Sequence, residues 1–266
     1  MKEDYVINVT KILEQQRSGF LTLMFKEQLR FCKVFFQTIT APVITAILYL
    51  LVFAQVMSDR KSYYDIPYMH FLIPGLMMMS MLQNSFSNPS SSIVQSRMTG
   101  NIIFILVAPI SHKEIFFAYI SAAITRGLTV SFFVWLISFF MFPLIPLKPL
   151  WVLIFSLIAC GIMGSLGIIA GLCSEKFDQL SVFQNFLIVP STFLSGVFYS
   201  IHTLPQFWQN ISFYNPIFYV IDGFRFGFFA QSDVSPWQSL IVTSSILIIL
   251  STFTLHLLKT GYKIKN

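Results

Sequence analysis

The chain of 266 residues is 55% hydrophobic and 11% charged, with 30 Phe, a formal net charge of +6 and a mean hydropathy of +0.72. A soluble domain carries roughly 25% charged residues, so this composition excludes a soluble globular protein and implies helices buried in a bilayer. A transmembrane barrel is excluded too, because its strands alternate over about 10 residues whereas the apolar runs here are continuous and about 20 residues long.

Residues 1–33 hold six Lys/Arg and four Asp/Glu before the first long apolar run, without the apolar core and small-residue cleavage site of a signal peptide. Within them, 18–33 (SGFLTLMFKEQLRFCK) is amphipathic. Leu21, Phe25, Leu29 and Cys32 share one helical face, and Lys26, Arg30 and Lys33 share another. Such a helix lies in the membrane interface with its basic side toward anionic headgroups. Six spans are then expected, at 34–57, 67–92, 115–141, 150–172, 180–200 and 237–258, which puts both termini on one side of the membrane. That side collects the six cations of residues 2–33 and Arg97, Lys113, Lys176, Lys259, Lys263 and Lys265. The other side has Arg60, Lys61, Lys148 and Arg225, and Arg126 falls inside the third span. Positive charge marks the cytoplasmic side, so both termini are expected there.

The second span changes character midway, from HFLIPGLMMMSML to QNSFSNPSSSIVQS. Ser80, Asn84, Asn88 and Ser92 recur at helical spacing and Pro89 kinks the helix. A polar stripe this long exceeds what a few interhelical hydrogen bonds require and makes these residues, with Phe193 on the fifth span, candidates for a substrate path. The link that follows, SRMTGNIIFILVAPISHKEIF, has an apolar centre bracketed by Gly100 and Pro109. A helix over 97–108 is expected, with Ile103, Phe104 and Leu106 seeking a protein partner and Arg97 and Glu114 at its edges. The fourth span carries the small-residue pairs Gly161/Ser165 and Gly167/Gly171, which permit close helix packing.

Between the fifth and sixth spans lies FLSGVFYSIHTLPQFWQNISFYNPIFYVIDGFRFGFF. Asn215 is a good N-cap and Pro216 suits the first helical position. Asp222 and Arg225 at i,i+3 can pair. The segment is too aromatic for a solvated loop, so 201–230 is expected to re-enter the outer leaflet as a helical hairpin packed on the protein. The three cysteines (Cys32, Cys160, Cys173) lack metal or redox spacing and the four histidines are scattered, which predicts neither a metal site nor a disulfide framework. No G-x-x-x-x-G-K-[ST] phosphate loop occurs, so the chain does not hold ATP by that route.

The order of these features resembles an ABC-2-type export permease, closest to the nodulation-factor and multidrug-type branch. The match rests on SRMTGNIIFILVAPISHKEIF after span two and on FLSGVFYS, LP, NP and DGFR after span five. Ser96 and Asn101 stand where many members have Glu and Thr. The resemblance implies an all-α membrane fold: a cytoplasmic N-terminus with an interfacial helix (1–33), one transmembrane domain (34–258) with six helices, a coupling segment (97–114) and an outer hairpin (201–230), and a cytoplasmic tail (259–266). It implies a bacterial inner-membrane exporter of amphipathic or lipid-like cargo, working by alternating access as a homodimer in contact with membrane lipids. ATP and Mg would be bound by two copies of a separate ATPase subunit, with no cofactor on this chain and no nucleic-acid partner. Arg97, Gly100, Ile103, Phe104, Leu106, Pro109 and Glu114 would then couple to the ATPase. A lipid-linked glycan exporter is the alternative within the class. A secondary transporter is the alternative outside it, disfavoured because Arg126 is the clear intramembrane charge.

Overall fold

The computed structural model describes residues 19–57 and 65–261. The cations at positions 2, 11 and 17, 60 and 61, and 263 and 265 lie outside the described residues. Within them the chain is helical. α1 covers 19–33 and runs almost directly into α2 (Phe35–Met57). Then come α3 (Tyr68–Met98), the short α4 (Ile102–Val107), α5 (His112–Met141) and α6 (Pro149–Cys173). A continuous helical stretch follows as α7 (Phe177–Val182), a π-helical turn (Phe183–Ile188) and α8 (Val189–Phe193), and then α9 (Gln206–Tyr214), α10 (Pro216–Phe229) and α11 (Pro236–Thr260).

α2, α5, α6 and α11 are long and apolar enough to cross a membrane. α3 has the length, 31 residues, but its second half is polar. It sits at the centre, packed most extensively on α6 and α5, while α10 and α11 close over α6 and α2 leans on α5 and α3. The core between them includes Leu50, Leu72, Ile73, Met78, Phe86, Phe155 and Phe224. The small residues of α6 serve that packing. A Cβ on Gly167 would sit 2.4 Å from the Phe86 carbonyl oxygen, so α3 and α6 meet backbone to backbone.

Three expectations change here. The fifth span expected at 180–200 is instead a helix over 177–193 that then turns through Gly196 (φ +76°). Pro190 accounts for the π turn before it: a proline ring clashes with the carbonyl four residues back, and the wider turn lets the Val189 N–H bond to Gln184 O instead. Second, the helix expected at 97–108 is only Ile102–Val107, because α3 continues to Met98. Third, the cations of α1 do not all face outward. Leu21, Phe25 and Leu29 are exposed as the amphipathic pattern predicts, but Arg30 turns inward against α3.

Candidate functional site

Three clusters occupy the positions that the sequence marks. The first is the connector around α4. Gly100 takes φ +75°, a conformation that releases the chain from α3. On the far side Ser111 caps α5 in a full capping box: its hydroxyl accepts from the Glu114 N–H at 3.3 Å and the Glu114 carboxylate accepts from the Ser111 N–H at 2.7 Å. α4 is thus a six-residue helix held between two rigid helices. It exposes Ile103 and Phe104, at 59% and 74%. Arg97 donates to Ser174 O (2.6 Å) and Leu172 O (3.2 Å), closing the carbonyl-rich end of α6. Both edge charges are therefore bonded within the chain. Pro109 is exposed just beyond α4.

The second cluster is polar and buried at the junction of α1, α3 and α5. Glu27 is fully buried, accepts from Ser92 Oγ at 2.8 Å and lies 3.4 Å from both Lys26 Nζ and Arg30 Nε. Arg30 also donates to Asn88 Oδ1 (2.9 Å), Ser91 Oγ (3.1 Å) and the Asn88 carbonyl. One helical turn deeper, Arg126 Nε donates to Asn84 Oδ1 at 3.2 Å, the partner that sequence did not supply. Asn84, Asn88 and Ser92 thus face α1 and α5 inside the subunit. Half-buried polar groups lie a fraction of a turn away, where Ser80 and Gln83 line a pocket of ≈ 200 Å³ against α2. Glu27 and Arg30 were missed because α1 read as a surface helix. A carboxylate flanked by two cations on its own helix was the available signal.

The third cluster is at the opposite end of the bundle. Asn215 accepts from the Ile217 N–H at 3.0 Å and Pro216 opens α10, as the capping signal predicts. The hydrogen bonds described for Asp222 and Arg225 run to neighbouring backbone, not to each other. Asp222 accepts from the N–H groups of Asp233 (2.7 Å) and Val234 (3.2 Å). Arg225 donates to Gly196 O (2.8 Å) and stacks over Phe71, 3.9 Å from its centroid. Each side chain satisfies backbone groups left open by a neighbouring turn, as full burial requires. Asp233 continues the network to Ser200 Oγ (2.7 Å) and the Ile201 N–H. Phe193, 37% exposed, stacks on Phe198.

A bundle of long apolar helices around a polar-edged central helix, with a short apolar helix displayed on a connector, is the architecture of a polytopic membrane protein. The ABC-2 type transporter family model matches residues 18–229, and the chain belongs to that family. It is similar to the inner membrane transport permease YadH of Escherichia coli strain K12 and to the protein of that name from Shigella flexneri. Each is 36% identical over 225 residues, covering 84% of this chain and 86% of the relative. The chain is a transmembrane permease of an ABC transporter, a transport subunit of a class that generally works with an ATPase partner.

Proposed function

We propose that the chain is the membrane half of an ATP-driven exporter in a bacterial inner membrane, acting as a homodimer with two separate ATPase subunits that bind ATP and Mg. α4 is the docking element. The observation that carries this reading is its exposed apolar face: Ile103 and Phe104 project from a helix of six residues, too short to span a bilayer and costly to leave in water. α4 is joined to α3 and α5 through short capped turns, so displacement of α4 by the partner biases both helices between inward- and outward-open arrangements. Export of an amphipathic or lipid-like substrate fits the half-buried polar edge of α3 at Ser80 and Gln83, with Asn84, Asn88 and Ser92 behind it held by Arg126, Arg30 and Glu27. Six spans with both termini cytoplasmic and 201–230 re-entrant from outside complete the proposal.

The test is recovery of the ATPase on the affinity-tagged permease. Wild type retains it; Phe104→Ala retains severalfold less while still inserting and migrating as a single species. Retention at the wild-type level by Phe104→Ala would remove α4 as the transmission element.

A further inference from the structure

Between α1 and the last turns of α3 lies a groove of ≈ 460 Å³ that shares Arg30 and Ser92 with the buried polar cluster and opens away from it along α1. One wall carries Lys26, Arg30 and Lys33, and the other carries Gln95, Thr99 and Asn101. Glu27 is the carboxylate beneath it, already held by Lys26 and Arg30, so three cations face one anion. The Arg30 guanidinium is bonded to Asn88 and Ser91. Lys26 and Lys33, both exposed, line the groove, Lys26 with its ammonium 3.4 Å from Glu27. Phe25 and Leu29 line the same groove and remain exposed on the outer face of α1.

We propose that this groove binds the headgroup of an anionic phospholipid, with the phosphate between Lys26, Lys33 and the amide and hydroxyl groups of α3, and the acyl chains running past Phe25 and Leu29. The inference deepens the functional reading, since it rests on α1 lying at the cytoplasmic interface. Two features select a lipid over a soluble phosphate. Juxtaposed cations attract anionic headgroups at about 1 kcal/mol each, and the apolar residues flanking them demand a hydrocarbon neighbour. The occupant would also join α1 to the end of α3 just before Gly100, placing it where α4 is hinged.

The experiment titrates the purified, detergent-solubilised full chain with palmitoyl-oleoyl phosphatidylglycerol and, separately, with the matching phosphatidylcholine, counting bound lipids by native mass spectrometry. Wild type should hold phosphatidylglycerol in preference, and inorganic phosphate at millimolar concentration should not displace it. Lys26→Gln with Lys33→Gln should weaken phosphatidylglycerol roughly thirtyfold and leave phosphatidylcholine unchanged, while the control Lys259→Gln retains wild-type binding. If the double variant loses its monodisperse peak, Lys33→Gln alone should still weaken binding measurably. Equal affinity for the two lipids, unaltered binding in the lysine variants, or displacement by inorganic phosphate each overturns the proposal. Because the permease is tested without its ATPase, failure here is separable from failure of the ATPase-recovery test.

Discussion

Asp222 and Arg225 show how far a local rule reaches. Their i,i+3 spacing allows an ion pair, yet each bonds backbone groups of a different loop, Asp222 the N–H groups at 233–234 and Arg225 the carbonyl at 196. A guanidinium cannot accept from an N–H and a carboxylate cannot donate to a carbonyl. The exchange Asp222→Arg with Arg225→Asp should therefore be as damaging as either change to Ala, read as loss of the monodisperse species after solubilisation; recovery of that species in the exchange would reinstate the pair. Arg30 gives a second expectation. Truncation to Ala leaves the fully buried Glu27 without one of its two cations, and breaking a buried pair costs about 3 kcal/mol or more. Arg30→Ala should lower the thermal unfolding midpoint by several degrees, and Glu27→Gln combined with it should restore part of the loss. The Asn215 cap was legible because cap and helix are neighbours in sequence. The Arg30–Asn88 and Arg126–Asn84 contacts were not, since their partners lie 58 and 42 residues away and periodicity reports only which face is polar, never what it meets.

Among the elements, α4 and the end of α3 separate two duties that look alike in sequence. Arg97 closes the end of α6, so Arg97→Ala should reduce thermal stability. Phe104→Ala removes an exposed ring and should leave the unfolding midpoint unchanged while lowering ATPase recovery. A stability loss in the second variant and none in the first would invert these assignments. Gly167 makes a sharper case: a methyl there meets the Phe86 carbonyl at 2.4 Å, and neither backbone can yield independently. Gly167→Ala should cost about 1–3 kcal/mol, in the range of core overpacking, measured by thermal unfolding in detergent. The small-residue spacing of α6 announced a close approach without naming α3 as the partner.

For the molecule as a whole, the proposed orientation predicts a labelling pattern. With Cys32, Cys160 and Cys173 replaced by Ser or Ala, cysteine at Gln231 should react with an impermeant thiol reagent on intact spheroplasts. Cysteine at Glu175 should react only after permeabilisation; the opposite pattern would invert the proposed topology. Apolar runs of bilayer length located α2, α5, α6 and α11 within a few residues of their observed ends, because helix length in a membrane is dictated by bilayer thickness. The fifth run was misjudged at its far end, since FLSGVFYS is apolar enough to continue a helix and only the positive φ of Gly196 turns it away.

The π turn at Phe183–Ile188 has a consequence for any comparison made along that helix. Closing a ring from residue 189 to 184 admits one residue more than an α-turn, and one residue of an α-helix is worth about 100° of rotation. The stretch therefore has a phase slip built into it: the side Phe177–Val182 presents is offset from the side Val189–Phe193 presents. A helical wheel drawn through both halves mixes two faces. A relative without the proline at this position is expected to align with a gap of one residue here, and deleting Asn185 together with Pro190→Ala should restore one uninterrupted helix while swinging Phe177 and its neighbours around the axis by about a quarter turn.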